Sequence, residues 1–255
     1  VPVYPGDTLT AHSRVLGLRE TASGKTGVVW VRSTGANQRG ETVLDYVRWV
    51  MVDKRDPAAP APEPVTPELP EAVAAARLTL PEGLSLAGYD AELAGSAQLY
   101  DDYRIGERID HLDGMTIEDA EHQMATRLYQ NNARVHFNRH AAQSGRFGKR
   151  VVYGGHIISL ARALSFNGLA NAFRIAAING GRHTNPTFAG HTIYAWSEVL
   201  EKIDLPDRAD VGALRLRTVA TKDKPCAEFP LLGPDRNPDP AVVLELDYTV
   251  LMPRR

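Results

Sequence analysis

The chain contains a diverged internal repeat, and this repeat constrains the possible folds more than any other feature of the sequence. Each copy holds three runs rich in Val, Leu, Thr and aromatic residues, and each copy ends in a basic pair. The matching segments are 5–18 with 189–202, 28–34 with 214–220, and 43–55 with 243–255. Runs of this composition favour the extended backbone. We therefore predict two related units, each built on three long antiparallel strands.

The two copies differ in what precedes them. Residues 101–188 stand before the second copy, whereas only Val1 to Pro5 stand before the first. We therefore expect 1–55 to be the C-terminal half of a first unit that is incomplete at its N-terminus, and 101–255 to be a complete unit carrying the active site. Residues 56–100 begin with DPAAPAPEPVTPELP and are predicted to be a linker, because proline fixes φ and lacks an amide donor.

Charge and cysteine content exclude several classes of protein. The formal net charge of −2 gives no reason to expect nucleic acid or an anionic membrane as a partner. Cys226 is the single cysteine, which excludes an internal disulfide framework and is typical of a reducing compartment. We accordingly predict a cytoplasmic protein with neither nucleic-acid nor membrane partners.

The segment before the second copy is predicted to be helical in two places. TIEDAEHQMATRLY has apolar residues at helical spacing, with Thr116 as the expected N-cap. Gly154-Gly155 then opens a second helix, expected from about His156 to Ala176, that is apolar almost all round and must therefore be enclosed. Together with the strands, this predicts an α+β fold in which a curved antiparallel sheet, shared by both copies, wraps around one long helix.

The stretch between these helices combines residues suited to proton transfer beside a carbonyl. His136 follows an Asn-Asn pair, and an imidazole titrates near neutral pH. The Gly154-Gly155 helix start offers unpaired amides and the positive end of the helix dipole to a developing oxyanion. A structural histidine and a pair of glycines that serve only a tight turn are the alternatives. We predict no metal, since the pairs His136/His140 and His183/His191 lack a matching carboxylate or cysteine set.

Three segments carry a resemblance to a known family: RLYQNNARVHFN, VYGGHIISLARALSFNGLANA and GRHTNPTFAGHTIYAWSE. They resemble the MaoC-like enoyl-CoA hydratases of the hotdog fold, whose signature places an Asp five residues before a His, with Asn-Pro between them. His136 matches the histidine, Asn131 stands at the Asp, and Ala133-Arg134 stands at the Asn-Pro. Within the family, the chain is similar over nearly its whole length to the subgroup that hydrates mesaconyl-CoA.

The resemblance implies a double hotdog and a hydro-lyase. The expected reaction is reversible addition of water to the C=C bond of mesaconyl-CoA, giving β-methylmalyl-CoA, with no cofactor. The expected assembly is a homo-oligomer, a dimer or higher, of double-hotdog subunits. Two alternatives stay open: a hotdog thioesterase, and a non-catalytic acyl-CoA-binding module, which the missing Asp favours.

The resemblance also implies roles for individual residues. His136 would be the acid–base residue, and Asn131 would orient the water as a hydrogen-bond partner, since a carboxamide cannot accept a proton. The alternative for Asn131 is a helix C-cap. The amide of Gly155, together with that of His156 and next to Gly154, would bind the thioester oxygen. Glu121 is the nearest upstream carboxylate that could carry a second proton, although a solvated helix face is the simpler interpretation.

The substrate's charged ends predict basic partners. A guanidinium can bind the free carboxylate of the acyl chain with two parallel hydrogen bonds, and the candidates are Arg134 and the pair Arg182-His183. The phosphates of coenzyme A usually meet exposed cations. The candidates for that contact are Arg146, Lys149 and Arg150. Solvated surface side chains are the alternative for every one of these cations.

Overall fold

The computed structural model describes residues 1–206 and 208–255, and these residues pack as two compact units. The first unit comprises Val1–Pro70 with Pro81–Gly83. The second comprises Glu71–Leu80 with Leu84–Arg255. The chain passes from one unit to the other inside the segment predicted to be a linker, and much of that segment packs with the second unit.

The first unit is built on one antiparallel sheet of three strands in the order β1-β2-β3. β1 spans Thr10–Glu20, β2 spans Thr26–Ala36 and β3 spans Thr42–Asp53. Each strand pairs with the next along the chain. The three predicted strands of the first copy are confirmed.

The second unit holds the helices and a larger sheet. Its helices are α1 (Asp119–Leu128), α2 (Arg134–Phe137), α3 (Arg139–Gln143), α4 (Gly154–Leu164) and α5 (Phe166–Leu169), with short 3-10 helices at Ala75–Arg77 and Tyr100–Asp102. Its strands are β4 (Arg108–Asp110), β5 (Met115–Thr116), β6 (Arg174–His183), β7 (Thr192–Asp204), β8 (Val211–Lys222) and β9 (Val242–Pro253). The strand order is β4-β7-β8-β9-β6, and β5 pairs with β7 beside β4.

The repeat is visible in the irregularities of the strands as well as in their order. β1-β2-β3 and β7-β8-β9 are both meanders, and in each the register shifts once between the first two strands and once between the last two. The shifts fall at equivalent positions, namely Val15/Gly17 and Val199/Glu201, then Gly35/Ala36 and Ala220/Thr221. Such bulges bend a strand and increase its twist.

One expectation about the sheet was wrong. The two copies were predicted to share a single sheet, but among the described residues their strands form two separate sheets, one in each unit. Among the described residues, the strands of one meander do not pair with those of the other. β4, β5 and β6 occupy the edges of the larger sheet. Those edge strands come from the segment that precedes the second copy.

The core of the second unit lies between α4 and the sheet. Ile157, Leu160, Ala161 and Leu164 are buried at helical spacing and belong to one apolar cluster with residues of β7, β8 and β9. The opposite side of α4 is not enclosed by the described residues, since Ser159 and Ala163 are exposed. The prediction that this helix is covered on all sides is therefore wrong for the described part of the chain.

α4 is also shorter than predicted. It ends at Leu164 rather than near Ala176, and β6 begins at Arg174. The chain leaves the helical conformation at Asn167, and Gly168 has a φ of 98° that suits glycine. Tyr103 fixes this break by donating its hydroxyl hydrogen bond to the carbonyl of Gly168 at 2.6 Å. Apolar residues beyond the break continue the helical pattern in sequence without continuing the helix.

The start of α1 also differs from the expectation. Thr116 was predicted to cap this helix, but it belongs to β5 and pairs with Thr192 of β7. The helix begins at Asp119 with Glu118 as its N-cap residue. A two-residue strand therefore replaces the expected first turn. The backbone of Met115 and Thr116 pairs with β7, and this pairing satisfies their polar groups without a helix.

Candidate active site

His136 is held in one orientation by its backbone neighbours. It lies on the short helix α2, and its Nδ1 is 3.0 Å from the carbonyl oxygen of Val151. A carbonyl can only accept, so Nδ1 carries the proton and the neutral ring keeps a free lone pair on Nε2. The ring also meets the ring of Tyr153 edge-on at 5.9 Å between centroids. The side chain is thus prepared to accept or return a proton through one nitrogen.

The two glycines at the start of α4 are needed because rings pack against them. A Cβ on Gly154 would lie 2.5 Å from Nε2 of His183, and a Cβ on Gly155 would lie 2.6 Å from the ring of Tyr153. Neither glycine is among the residues with positive φ. The tight-turn alternative therefore does not account for them, whereas close approach of two aromatic side chains does.

The first amides of α4 are the donors that a helix cannot use internally. Tyr153 is the N-cap, so Gly154 and Gly155 are the first two helical residues, whose amides have no intrahelical acceptor. The amide of His156 instead donates to the carbonyl of Tyr153 at 3.0 Å. The suggestion that His156 supplies a second backbone donor is therefore wrong, and the bare amides are those of the two glycines.

Asn131 has a structural contact in addition to any role with water. Its Oδ1 accepts a hydrogen bond from the backbone N–H of Ala133 at 2.9 Å, and its own backbone N–H donates to the carbonyl of Thr126 at 3.0 Å. The side chain thus stabilises the turn that leads into α2, whereas the C-cap of α1 is Tyr129, so the helix C-cap alternative for Asn131 is wrong. Asn131 lines a pocket of about 450 Å³ together with Gln123, Thr126, Arg127, Gln130 and Phe137, and the other polar atom of its side chain is Nδ2. Through that nitrogen the side chain can only donate.

The two candidate arginines for the acyl carboxylate differ in what they contact. Arg182 donates twice to Glu245, at 2.9 and 2.7 Å, so its guanidinium already has a carboxylate partner. Arg134 is exposed on α2, two residues from His136, and its guanidinium forms no hydrogen bond or ion pair with the described residues. Of the two, Arg134 is the guanidinium that can accept a new anion.

The basic side chains of the loop before α4 also divide into two groups. Arg150 is bound to α1, through Gln123 and, at 2.7 Å, through Asp119. Arg146 and Lys149 instead lie over aromatic rings, at 5.1 Å from the centroid of Phe147 and at 4.1 Å from that of Phe188. These two cations stay exposed, so the structure favours them over Arg150 for binding phosphates.

Glu121 and two histidines form a polar group behind the helix start. Glu121 accepts a hydrogen bond from Nε2 of His156 at 2.8 Å while 39% of its side chain stays exposed, so it faces solvent, as the simpler interpretation implied, and is also paired. His122, next to it on α1, is buried, and neither of its ring nitrogens has a hydrogen-bond partner among the described residues. Burial lowers the pKa of His122, and the charges of Arg150, His136 and His156 lower it further.

His183, at the end of β6, is the histidine whose place the sequence did not reveal. It keeps an exposed surface, yet protein surrounds much of the ring, and this loss of hydration lowers its pKa. A hydrogen bond with the backbone of Val243 opposes that shift, and the charge of His136 adds to it. The two imidazoles pack against consecutive residues at the start of α4, because Nε2 of His183 approaches Gly154 and the ring of His136 lies 5.9 Å from that of Tyr153 between centroids. The pairing of β6 with β9, which fixes this position, is not visible in the local sequence.

Within residues 1–206 and 208–255, no cluster of three or more His, Cys, Asp or Glu side chains is placed to hold a metal ion. Over the same residues, no helix is both long enough and apolar enough to cross a membrane.

Comparison with known proteins identifies the family. The family model described as mesaconyl-CoA hydratase matches residues 1–228. The chain is 66% identical over 253 residues to a β-methylmalyl-CoA dehydratase from Chloroflexus aurantiacus, covering 99% of this chain and 72% of the relative. It is 57% identical to a mesaconyl-CoA hydratase from Cereibacter sphaeroides, with the same two coverages.

Solved structures agree on the architecture. A MaoC domain dehydratase from Chloroflexus aurantiacus, 66% identical, superposes with a TM-score of 0.95 over 99% of this chain and 72% of that one. A Mycobacterium tuberculosis protein with a double hotdog fold, 25% identical, reaches 0.66 over 98% of this chain and 70% of that one. The predicted double hotdog is confirmed. The chain belongs to the mesaconyl-CoA hydratase family, whose members are MaoC-like hydro-lyases.

Proposed function

We propose that this chain catalyses the reversible addition of water to the C=C bond of mesaconyl-CoA, forming β-methylmalyl-CoA. Two relatives that are named for the two directions of this reaction support the proposal. The structural observation that carries it is the pairing of His136 with a bare helix start. Its Nδ1 is anchored on Val151, which leaves Nε2 free, and its ring packs edge-on against Tyr153, the residue that immediately precedes the two glycines of α4.

His136 activates the water in this mechanism. Nε2 accepts a proton from water as the oxygen attacks the β-carbon, which is the electrophilic carbon of a conjugated thioester. A positioned general base of this kind contributes about 10²–10⁴-fold to the rate. Asn131 orients the same water by donating from Nδ2, because its Oδ1 is occupied by the amide of Ala133.

The helix start stabilises the negative charge that the attack creates. As the C–O bond forms, the π electrons move toward the thioester oxygen, which acquires enolate character. The amide of Gly155 donates to that oxygen, with the positive end of the α4 dipole behind it. One such donor is typically worth about 3 kcal/mol in the transition state.

Exposed cations recognise the two charged ends of the substrate. Arg134 binds the acyl carboxylate, since it lies on the same short helix as His136 and has no other anion. Arg146 and Lys149 bind phosphates of coenzyme A, and the neighbouring Phe147 and Phe188 rings, whose centroids are 5.8 Å apart, offer an apolar surface to its adenine. Arg182 and Arg150 are left as structural ion-pair partners.

The reaction needs no cofactor in this proposal, because the thioester itself supplies the electron sink. The protein acts in the cytoplasm, where coenzyme A esters are made and used, and it works as a homo-oligomer of double-hotdog subunits. Gel filtration with light scattering measures the oligomeric state directly, and a monomer at micromolar concentration would contradict the last statement.

A single assay separates the proposed function from its two rivals. Mesaconyl-CoA is incubated with the protein while enoyl-thioester absorbance and free thiol are followed together. Loss of absorbance without thiol release supports the hydratase. Thiol release would instead show a thioesterase, a reaction for which α4 and its flanking residues 151–178 supply no carboxylate. Absence of both signals, with binding retained, would show a non-catalytic acyl-CoA-binding module.

A further inference from the structure

Hydration requires a proton at the α-carbon as well as a base for the water, and the proposed roles leave its source open. Asn131, the residue assigned to orienting the water, has a carboxamide side chain. A carboxamide neither gives nor takes a proton near neutral pH. Its oxygen is, in addition, already occupied by the amide of Ala133. Either His136 itself returns the proton that it takes from water, or a second side chain near the helix start supplies the proton at the α-carbon.

Glu121 is poorly placed for that task. Its carboxylate is bonded to His156 Nε2 at 2.8 Å, and both side chains belong to the group behind the first turn of α4. This hydrogen bond links α1 to α4. His122 lies in the same group and is enclosed, with 1% of its surface exposed, so it cannot reach a substrate without moving.

His183 satisfies the geometric requirement. Its Nε2 lies so close to Gly154 that a Cβ there would be 2.5 Å away. Gly154 immediately precedes the amide assigned to the thioester oxygen, and in a thioester the α-carbon is two bonds from that oxygen. The ring also keeps an exposed surface, so a ligand can touch it. His136 is the charged neighbour that acts on it, and Val243 contacts it from β9.

We propose that His183 is the second catalytic residue and exchanges the proton at the α-carbon of the substrate. This inference rests on the proposed hydratase function. It assigns the two imidazoles to the two carbons of the double bond, His136 to the β-carbon through the water, and His183 to the α-carbon. Gly154 serves this arrangement because only glycine lets the imidazole approach the helix start.

The protons balance if the pair of imidazoles holds one proton between them. In hydration, neutral His136 takes a proton from water while the oxygen bonds to the β-carbon and the π electrons form the enolate. The enolate then forms a C–H bond at the α-carbon with the proton of His183. His183 ends neutral and His136 ends protonated, and exchange with solvent restores the starting state. Dehydration runs the same steps backward.

The electrostatics agree with a shared proton. A positive charge on His136 lowers the pKa of His183, so the doubly protonated pair is disfavoured. Partial enclosure of His183 acts in the same direction. The neutral His183 that results is the form that can remove the α-proton during dehydration.

The test follows proton exchange at the α-carbon separately from loss of water. β-Methylmalyl-CoA is incubated in D₂O with the protein, and deuterium at the α-carbon is measured by mass spectrometry and NMR alongside dehydration. We expect His183→Asn to lower both rates by at least about 100-fold, with KM changed by less than about threefold. We expect His136→Asn to lose dehydration while retaining exchange, because His183 is intact.

The control is His140→Asn, which removes an exposed histidine of α3 and should leave both rates unchanged. Circular dichroism establishes that each variant is folded, and His183→Gln provides a second replacement. If neither folds, Gly154→Ala decides, since it keeps the imidazole in the chain but displaces it, and loss of exchange is expected there too.

Two results would overturn the inference while leaving the hydratase proposal intact. The first is near-normal exchange in a folded His183 variant of a chain whose parent hydrates mesaconyl-CoA. The second is loss of exchange in His136→Asn together with its retention in His183→Asn, which would assign both protons to His136. An unmodified chain that does not hydrate mesaconyl-CoA would instead overturn the proposed function itself.

Discussion

At the scale of single residues, the site depends on which nitrogen of His136 carries its proton. The carbonyl of Val151 fixes Nδ1–H at 3.0 Å, so the basic lone pair can only be on Nε2. The same contact aims the ring, because an imidazole held at one nitrogen and against the Tyr153 ring has little freedom to rotate. A residue without ring nitrogens at this position would supply neither the base nor the hydrogen bond that orients it.

We therefore expect His136→Ala to lower kcat for mesaconyl-CoA hydration by about 10²–10⁴-fold with little change in KM, because a positioned base acts mainly in the transition state. Initial rates over a range of substrate concentrations measure this. His140→Ala, four residues further on, is the matched control. Full activity in the His136 variant would remove that residue from the mechanism.

Arg134 leads to a prediction about specificity. Its guanidinium has no anion among the described residues, so in the complex it is free to bind the acyl carboxylate. Arg134→Ala should lower kcat/KM for mesaconyl-CoA by about 10–100-fold, since a hydrogen bond to a charged group contributes about 1.5–3 kcal/mol. Crotonyl-CoA, which lacks the carboxylate, should be affected much less.

The control for this prediction is Arg139→Ala, a neighbouring arginine at the start of α3 that is also exposed. It should leave the ratio of the two substrates unchanged. Equal losses with both substrates in the Arg134 variant would show that the side chain supports the fold or the coenzyme A end rather than the carboxylate.

At the scale of secondary-structure elements, the start of α4 was predictable and its end was not. Gly154-Gly155 before a helical apolar pattern indicated the start, and the structure begins the helix at Gly154. The end depends on Asn167 and Gly168 leaving the helical conformation, with Tyr103 hydrogen-bonded to the break. Tyr103 is distant in sequence, so no local pattern could report its contact. The strand β5 replaced the predicted cap at Thr116 for the same reason.

The packing at the helix start predicts the effect of adding one methyl group. A Cβ on Gly155 would lie 2.6 Å from the Tyr153 ring, too close for any real contact. Gly155→Ala must therefore move the ring or the amide beside it. We expect hydration to fall by about 10²–10³-fold, the usual cost of losing one oxyanion donor. Steady-state kinetics measure this loss.

A second substitution tests the steric cause. Tyr153→Ala alone removes a ring that packs against His136, so it is the reference; relative to it, Tyr153→Ala/Gly155→Ala should recover part of the activity that Gly155→Ala loses, because the added methyl then has room. Gly180→Ala is the control, since a Cβ there meets nothing within 4 Å and its φ is not positive. No recovery in the double variant would show that Gly155 is needed for a reason other than the Tyr153 ring.

At the scale of the whole molecule, the repeat predicted the strands of both units but not that each unit forms its own sheet. Corresponding strands carry register shifts at equivalent positions, so the two copies preserve the same bends despite their different residues. Short strands outside the repeat, β4 and β5, complete the edge of the larger sheet. Their few residues have no distinctive pattern, which is why the sequence did not reveal them. The position of His183 next to the helix start is a consequence of the same long-range pairing.

Buried histidines link the stability of the whole molecule to pH. His111 is fully buried, with Nδ1 2.6 Å from the carbonyl of Asn167 and Nε2 2.7 Å from the hydroxyl of Ser197. The neutral ring donates from Nδ1 and accepts at Nε2, so protonation would force the Ser197 hydroxyl to change from donor to acceptor in the second hydrogen bond. Burial lowers the pKa of His111, and burial likewise lowers those of His122 and His183.

The direction of the pH effect follows from the sign of these shifts. An unfolded histidine titrates near pH 6.5, and the folded groups titrate below that value. Between the two, the unfolded chain binds more protons, so the free energy of unfolding falls as pH decreases below about 6.5, by at most about 1.4 kcal/mol per pH unit for each histidine. His111→Gln should lower stability at pH 7 and flatten this dependence, whereas His140→Gln should do neither. Urea unfolding from pH 7.5 to 5 measures both effects, and an unchanged slope in the His111 variant would mean that this ring is not among the groups that destabilise the fold in acid.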